Sequence, residues 1–269
     1  MPPCEDGRQS LPLETGTGFA ACQSRPSTGT VTLLTDTGFQ NTWLIWSVAF
    51  LLLWATAFFT QAHLRRRMLW ASVLTMPFGL TEPLFVPAYW NPPSLFDLAQ
   101  RTGFDLESLI FCFAIGGLGA VGYRVLVPAP DRHLDHSAHL AARHRWHRTA
   151  LASPFVVFAA LLPLPWNPIY AGIGALVAGA LATLLCRPDL WRGSLIGGLL
   201  FLVLYTVFLF GLKWLWPGYI EAVWNLPDLL PWRPAGLVME ELMFGFGFGM
   251  YWSSVYEHVA WVQRDSSHG

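Results

Sequence analysis

Seven stretches of apolar residues, each bounded by a polar, charged or proline-rich break, set the plan of the chain. They run over about 43–62, 68–86, 105–127, 149–162, 169–185, 193–216 and 234–258. Most approach the ~20 residues that a helix rising 1.5 Å per residue needs to cross a ~30 Å hydrocarbon layer. A chain that leaves water must satisfy its backbone polar groups internally, so each stretch is predicted to be a helix. The predicted fold class is therefore all-α, a polytopic membrane helix bundle of about seven spans.

The spans are not independent. Placing Glu107 of the third beneath Glu240 of the seventh aligns Phe111 with Phe244 and Tyr123 with Tyr256 without a gap. Trp90-Asn91 before the third span is echoed by Trp224-Asn225 before the seventh, one residue out of register. The expected organisation is a disordered tail over 1–41 and a three-helix repeat over 42–127. A His-rich linker and connector helix follow over 128–163, then a second, parallel three-helix repeat over 164–258 and a C-terminal tail over 259–269. Repeats of this kind often place a site at the interface between the halves.

Composition supports a membrane protein. Hydrophobic residues make up 54% of the 269, charged residues 12%, and mean hydropathy is +0.42. The net charge of −1 gives no reason to expect a nucleic-acid partner. Inner segments under an N-outside arrangement hold Arg65, Arg66, Arg67, Arg132, Arg143, Arg145, Arg148, Arg187, Arg192 and Arg264. Outer segments hold Arg8, Arg25, Arg101 and Arg233, so the basic residues favour an external N-terminus and a cytoplasmic C-terminus. The four cysteines form no CxxC or other metal spacing, and no metal is expected from them. His133, His136, His139, His144 and His147 of the linker fall three apart within two groups, a helical face that could bind metal, and are read in preference as part of a headgroup-facing helix with Arg143, Arg145 and Arg148.

The chemistry lies in the carboxylates. Glu82 falls 15 residues beyond Arg67, roughly 22 Å up the second span. Glu107 opens the third span, and Glu240 and Glu241 are placed on the second turn of the seventh. Ionisable groups at membrane depth are costly and read as functional, and clustered acids in a low dielectric cannot all ionise. Glu107 alone also fits a simple complement to a helix dipole. Phe85, Trp90, Phe111, Phe244 and Tyr251 lie around the acids, and aromatic faces stabilise a passing cation. The only lysine is Lys213 in the sixth span, which argues against a retinal Schiff base on the seventh. No strand precedes the glycine clusters, so no nucleotide loop and no flavin are expected.

With these residues laid out, the chain resembles the membrane-embedded lycopene cyclase domain family in its fused, two-unit form. Thr81 to Phe85, Trp90 to Pro93 and Asp105 to Phe111 carry the likeness in the first unit. Met239 to Phe244 and Tyr256-Glu257 carry it in the second. Ser108 stands where the family pattern has a second Glu, and Arg124 where it has the late acid. The resemblance implies a cofactor-free isomerase of carotenoid biosynthesis in a prokaryotic plasma membrane. It would cyclise the end of a linear carotene, or another apolar lipid, alongside other carotenoid-pathway enzymes. Glu82, Glu107, Glu240 and Glu241 would be its acid–base set, and Phe85, Trp90, Asn91, Phe111, Asn225, Phe244 and Tyr251 its substrate contacts. The alternative is a non-catalytic carotenoid or lipid binder of the same fold.

Overall fold

A computed structural model describes residues 39–134 and 142–264. The tail over 1–38, linker residues 135–141, including His136 and His139, and residues 265–269 lie outside the described part. Among the described residues, seven α-helices longer than ten residues form one bundle: α1 (Thr42–Thr60), α2 (Arg65–Thr75), α3 (Leu106–Leu126), α4 (His147–Leu161), α5 (Ile169–Cys186), α6 (Trp191–Leu215) and α7 (Met239–Ala260). Among the described residues, four segments are long and apolar enough to cross a membrane: Thr42–Thr60, Leu106–Leu126, Ile169–Cys186 and Pro188–Leu215. Large exposed apolar side chains such as Leu52, Phe59, Leu185, Val203 and Trp214 cover the outside of the bundle, as a lipid-facing surface requires.

Two predicted boundaries move, for local reasons. The second span is α-helical only to Thr75 and continues as a 3-10 helix over Met76–Leu84. Pro77 and Pro83 each lack the N–H that an α-helical rung needs, so the chain tightens into i→i+3 bonds. Gly79 lets that segment approach closely: a Cβ there would lie 2.8 Å from backbone atoms of Ser108 and Leu109. The seventh span begins later than expected. Pro234–Gly236 is a separate turn with Ala235 at φ 53°, and Leu237 and Val238 are extended. Glu240 and Glu241 therefore stand in the first turn of α7, not the second.

The arginine run after α1 is not a solvated loop. Arg65 opens α2, and its guanidinium donates to Phe58 O at 2.9 Å and Phe59 O at 3.2 Å, capping the open carbonyls of α1. Arg67 is buried and paired with Glu257 and Asp131; Asp131 also pairs with Arg124. Beside this cluster a two-stranded antiparallel ribbon, β1 (Asp131–His133) with β2 (Val262–Arg264), ties the start of the linker to the end of α7.

The packing falls into two corresponding sets. In one, α3 packs on α1 and α2; in the other, α7 packs on α5 and α6, and α3 and α7 meet between them. At the end opposite the arginines the two connecting segments cross. Trp90 pairs with Trp224 across a single β-bridge, Asn91 N–H donates to Val223 O at 2.8 Å, and Asn225 N–H donates to Tyr89 O at 2.9 Å.

Candidate functional site

Both central helices begin alike. Residue 2 of α3 is Glu107 and residue 2 of α7 is Glu240, and each is fully buried. Glu107 Oε1 accepts the Leu95 N–H at 2.7 Å, and Glu240 Oε1 accepts the Leu230 N–H, also at 2.7 Å. Each carboxyl thus fixes the loop that leads into its own helix. Glu240 also accepts from Tyr170 Oη at 2.5 Å. Asp105 adds an N-cap on α3, accepting from Ser108 N at 2.5 Å.

Residue 3 is where the helices part. On α7 it is Glu241, whose oxygens accept from three side chains: Tyr89 Oη at 2.5 Å, Tyr205 Oη at 2.6 Å and Trp224 Nε1 at 2.9 Å. On α3 it is Ser108. The first half brings its acid from elsewhere: Glu82, on the 3-10 segment that Gly79 seats against Ser108. Glu82 is 4% exposed, with Asp105 and Ser108 as polar neighbours, yet neither of its oxygens finds a hydrogen-bond partner of acceptable geometry among the described residues.

Glu82, Ser108 and Glu241 open onto one cavity of about 640 Å³. That is within the range of small-molecule sites. Its wall is almost entirely apolar and rich in rings, including Trp43, Phe85, Trp90, Phe111, Phe244 and Tyr251. Phe111 and Phe244, the aligned pair, approach Tyr205 at 6.3 and 5.9 Å between ring centroids. Trp90 touches both Trp43 (4.7 Å) and Trp224 (5.7 Å). At one flank the exposed Phe78 and Phe155 stack at 6.2 Å between the 3-10 segment and α4, on the lipid-facing surface.

Of the eleven residues singled out in the sequence, seven line this cavity: Glu82, Phe85, Trp90, Phe111, Glu241, Phe244 and Tyr251. Glu107 and Glu240 do not; they face their loops. Asn91 and Asn225 also lie off the cavity and act in the crossing of the two connections, where Asn225 Nδ2 donates to Ala88 O at 3.1 Å and to Asp228 at 2.7 Å. Missed in the sequence were Tyr89, Tyr205 and Trp224, the donors to Glu241. A signal existed for Tyr205: a phenol in mid-span needs a polar partner within the bundle. Burial and the Glu241 carboxyl push the Tyr89 phenol, in the loop beyond the second span, well above its ordinary range, so it remains a donor.

Glu257, near the end of α7, is buried and ion-paired with Arg67. One reading of the linker changes. The linker histidines do not share one outward face: His144 is buried, and its Nδ1 lies 3.3 Å from Cys186 Sγ.

No curated protein and no solved structure matches the chain. Residues 167–259 match the family model described as Lycopene cyclase, which covers α5, α6 and α7 and includes Glu240 and Glu241. This segment, part of an all-α membrane bundle, is therefore similar to the lycopene cyclase family.

Proposed function

We propose that the protein is an integral membrane isomerase that cyclises the end of a linear carotene by acid–base chemistry, with Glu82 and Glu241 as the reacting carboxyls. The observation that carries this reading is that these two acids, from different halves, reach one ring-lined apolar cavity. Glu82, buried beside the Asp105 carboxyl, suits the neutral, proton-bearing form, because two buried carboxyls side by side cannot both ionise. Glu241, with three donors, suits the carboxylate, an acceptor-only group with about four lone-pair sites.

Chemistry follows from that division. The Glu82 proton adds to the terminal carbon–carbon double bond and leaves a carbocation. The next double bond attacks it, closing a six-membered ring and moving the positive charge onto a ring carbon. The Glu241 carboxylate and the faces of Phe111, Tyr205 and Phe244 stabilise that charge. Loss of a neighbouring C–H proton to a carboxylate restores neutrality. One proton enters and one leaves, so the change is an isomerisation that needs no redox partner. The substrate would enter from the bilayer past Phe78 and Phe155.

The same reading places the chain as two related three-helix units joined by α4. The arginine cluster lies on the cytoplasmic side with the C-terminus, and the acids lie toward the outer side of a prokaryotic plasma membrane. Expression in a host that accumulates linear lycopene tests the function. Chromatography of the pigments is expected to reveal cyclic end groups that depend on this chain. Unchanged pigment with normal accumulation of the protein would favour the non-catalytic carotenoid-binding alternative.

A further inference from the structure

At the end of the bundle that holds the arginines, three elements converge on a second cluster. His144 lies in the 3-10 turn Ala142–Trp146, His147 is the first residue of α4, and Cys186 is the last residue of α5. One donor atom from each lies within 4.8 Å of the others. Cys186 Sγ is 3.3 Å from His144 Nδ1 and 3.5 Å from His147 Nδ1. A tetrahedral zinc with bonds of ~2.05 Å to nitrogen and ~2.3 Å to sulfur sets its N and S ligands about 3.6 Å apart. The separations therefore already match an edge of a zinc tetrahedron. Thiolate with imidazole is also a donor set that selects zinc-class ions over hard cations.

The surroundings are pre-organised. Trp261 stacks on His147 at 4.2 Å and meets His144 edge-on at 4.9 Å, which fixes both rings. His258 of α7 lies with its ring 4.4 Å from that of His147; it is fully buried, its Nδ1 is 3.3 Å from Thr183 Oγ1, and its Nε2 has no hydrogen-bond partner among the described residues. The nearby Arg187 guanidinium is taken up by Asp189 and by the carbonyls of Glu257 and Val262. His147 is only half-buried, which leaves a path for an ion.

We propose that His144, His147 and Cys186 form a binding site for a zinc-class divalent ion, with the fourth position beside His258. The ion pins the start of α4 to the ends of α5 and α7. Because α4 carries Leu151, Pro154, Phe155 and Phe158 along the cavity wall, this pin also sets the position of that wall.

The test uses the full chain in detergent, purified without a polyhistidine tag, stripped with chelator and titrated with cobalt(II) as an optical stand-in for zinc. One equivalent is expected to give a thiolate-to-cobalt charge-transfer band in the near ultraviolet, and zinc is expected to displace it. Changes around a metal's ligands alone cost roughly 10–100-fold in affinity, so Cys186→Ser is expected to remove the band and weaken binding by at least that much. Cys112→Ser is expected to leave the band intact. Absence of the band in the unaltered protein under excess cobalt would overturn the proposal even if no variant accumulates. Persistence of the band in Cys186→Ser would overturn it as well. Neither readout uses carotene, so the result stands apart from the proposed cyclase reaction.

Discussion

The first turns of α3 and α7 are the most instructive pair of regions in the molecule. Both place a buried Glu at the second helical residue, and both use it for the same task, holding one backbone N–H of the preceding loop at 2.7 Å. At the third residue one helix has Ser108 and the other Glu241. The acid common to both helices holds a loop, and the acid that differs faces the cavity. In the first half the cavity acid comes from the preceding span as Glu82, above the small Ser108. Each half thus contributes one carboxyl to the cavity, from a different helix.

Removing the clamped acid is expected to have the largest effect. Glu241→Ala orphans the Tyr89, Tyr205 and Trp224 donors, each worth roughly 1–3 kcal/mol when left unpaired, so the variant should lose about 3 kcal/mol or more of stability as well as its reaction. A melting curve indistinguishable from that of the unaltered protein would show that the three donors do not depend on Glu241.

The shared acids are expected to come next, and to act on stability alone. Glu107→Ala leaves the Leu95 N–H unpaired, at a cost of ~1–3 kcal/mol. Glu240→Ala should cost more, since it releases both the Leu230 N–H and the Tyr170 hydroxyl. Thermal unfolding measures the loss, and cyclisation per folded molecule should be unchanged. A reversed ranking of the two would break the symmetry between the helices.

A smaller effect sharpens the role of the clamp. Tyr205→Phe keeps the ring between Phe111 and Phe244 but removes one donor. A loss of ~1.5 kcal/mol, the lower figure for a hydrogen bond to a charged group, corresponds to roughly tenfold in rate. Initial rates of ring formation measure it, and an unchanged rate would argue that Glu241 works without this donor. At the bottom of the scale, Glu221→Gln in the exposed connection should alter neither rate nor melting temperature.

The helices were legible in the sequence because lipid-spanning apolar runs are long and their breaks are marked by Arg, Pro and Asn. The cavity rings were legible too, because Phe111 and Phe244 repeat at equal distance from Glu107 and Glu240. The directions in which the four acids face were not. Spacing places Glu107 and Glu82 near one depth but is silent on direction. Direction was decided by Pro77, Gly79 and Pro83, which turn an α-helix into a 3-10 segment, and by the turn at Ala235 that delays α7. Long-range hydrogen bonds were equally hidden: Tyr89 and Glu241 are 152 positions apart. The buried His144 was misread for the same reason, since its neighbour Cys186 lies 42 positions away.

The central claim, that the shared acids hold loops while the unshared acids move protons, is tested most directly by four single glutamine variants. Glutamine keeps an acceptor oxygen for the Leu95 and Leu230 N–H groups but has no carboxyl proton to give or take. Cyclic pigment would be measured in a lycopene-accumulating host, normalised to the protein present in the membrane. Glu82→Gln and Glu241→Gln are expected to lose at least ~100-fold, the lower bound for a general acid or base, while Glu107→Gln and Glu240→Gln remain close to the unaltered rate. Equal losses in all four, or full activity in Glu82→Gln and Glu241→Gln, would contradict the account.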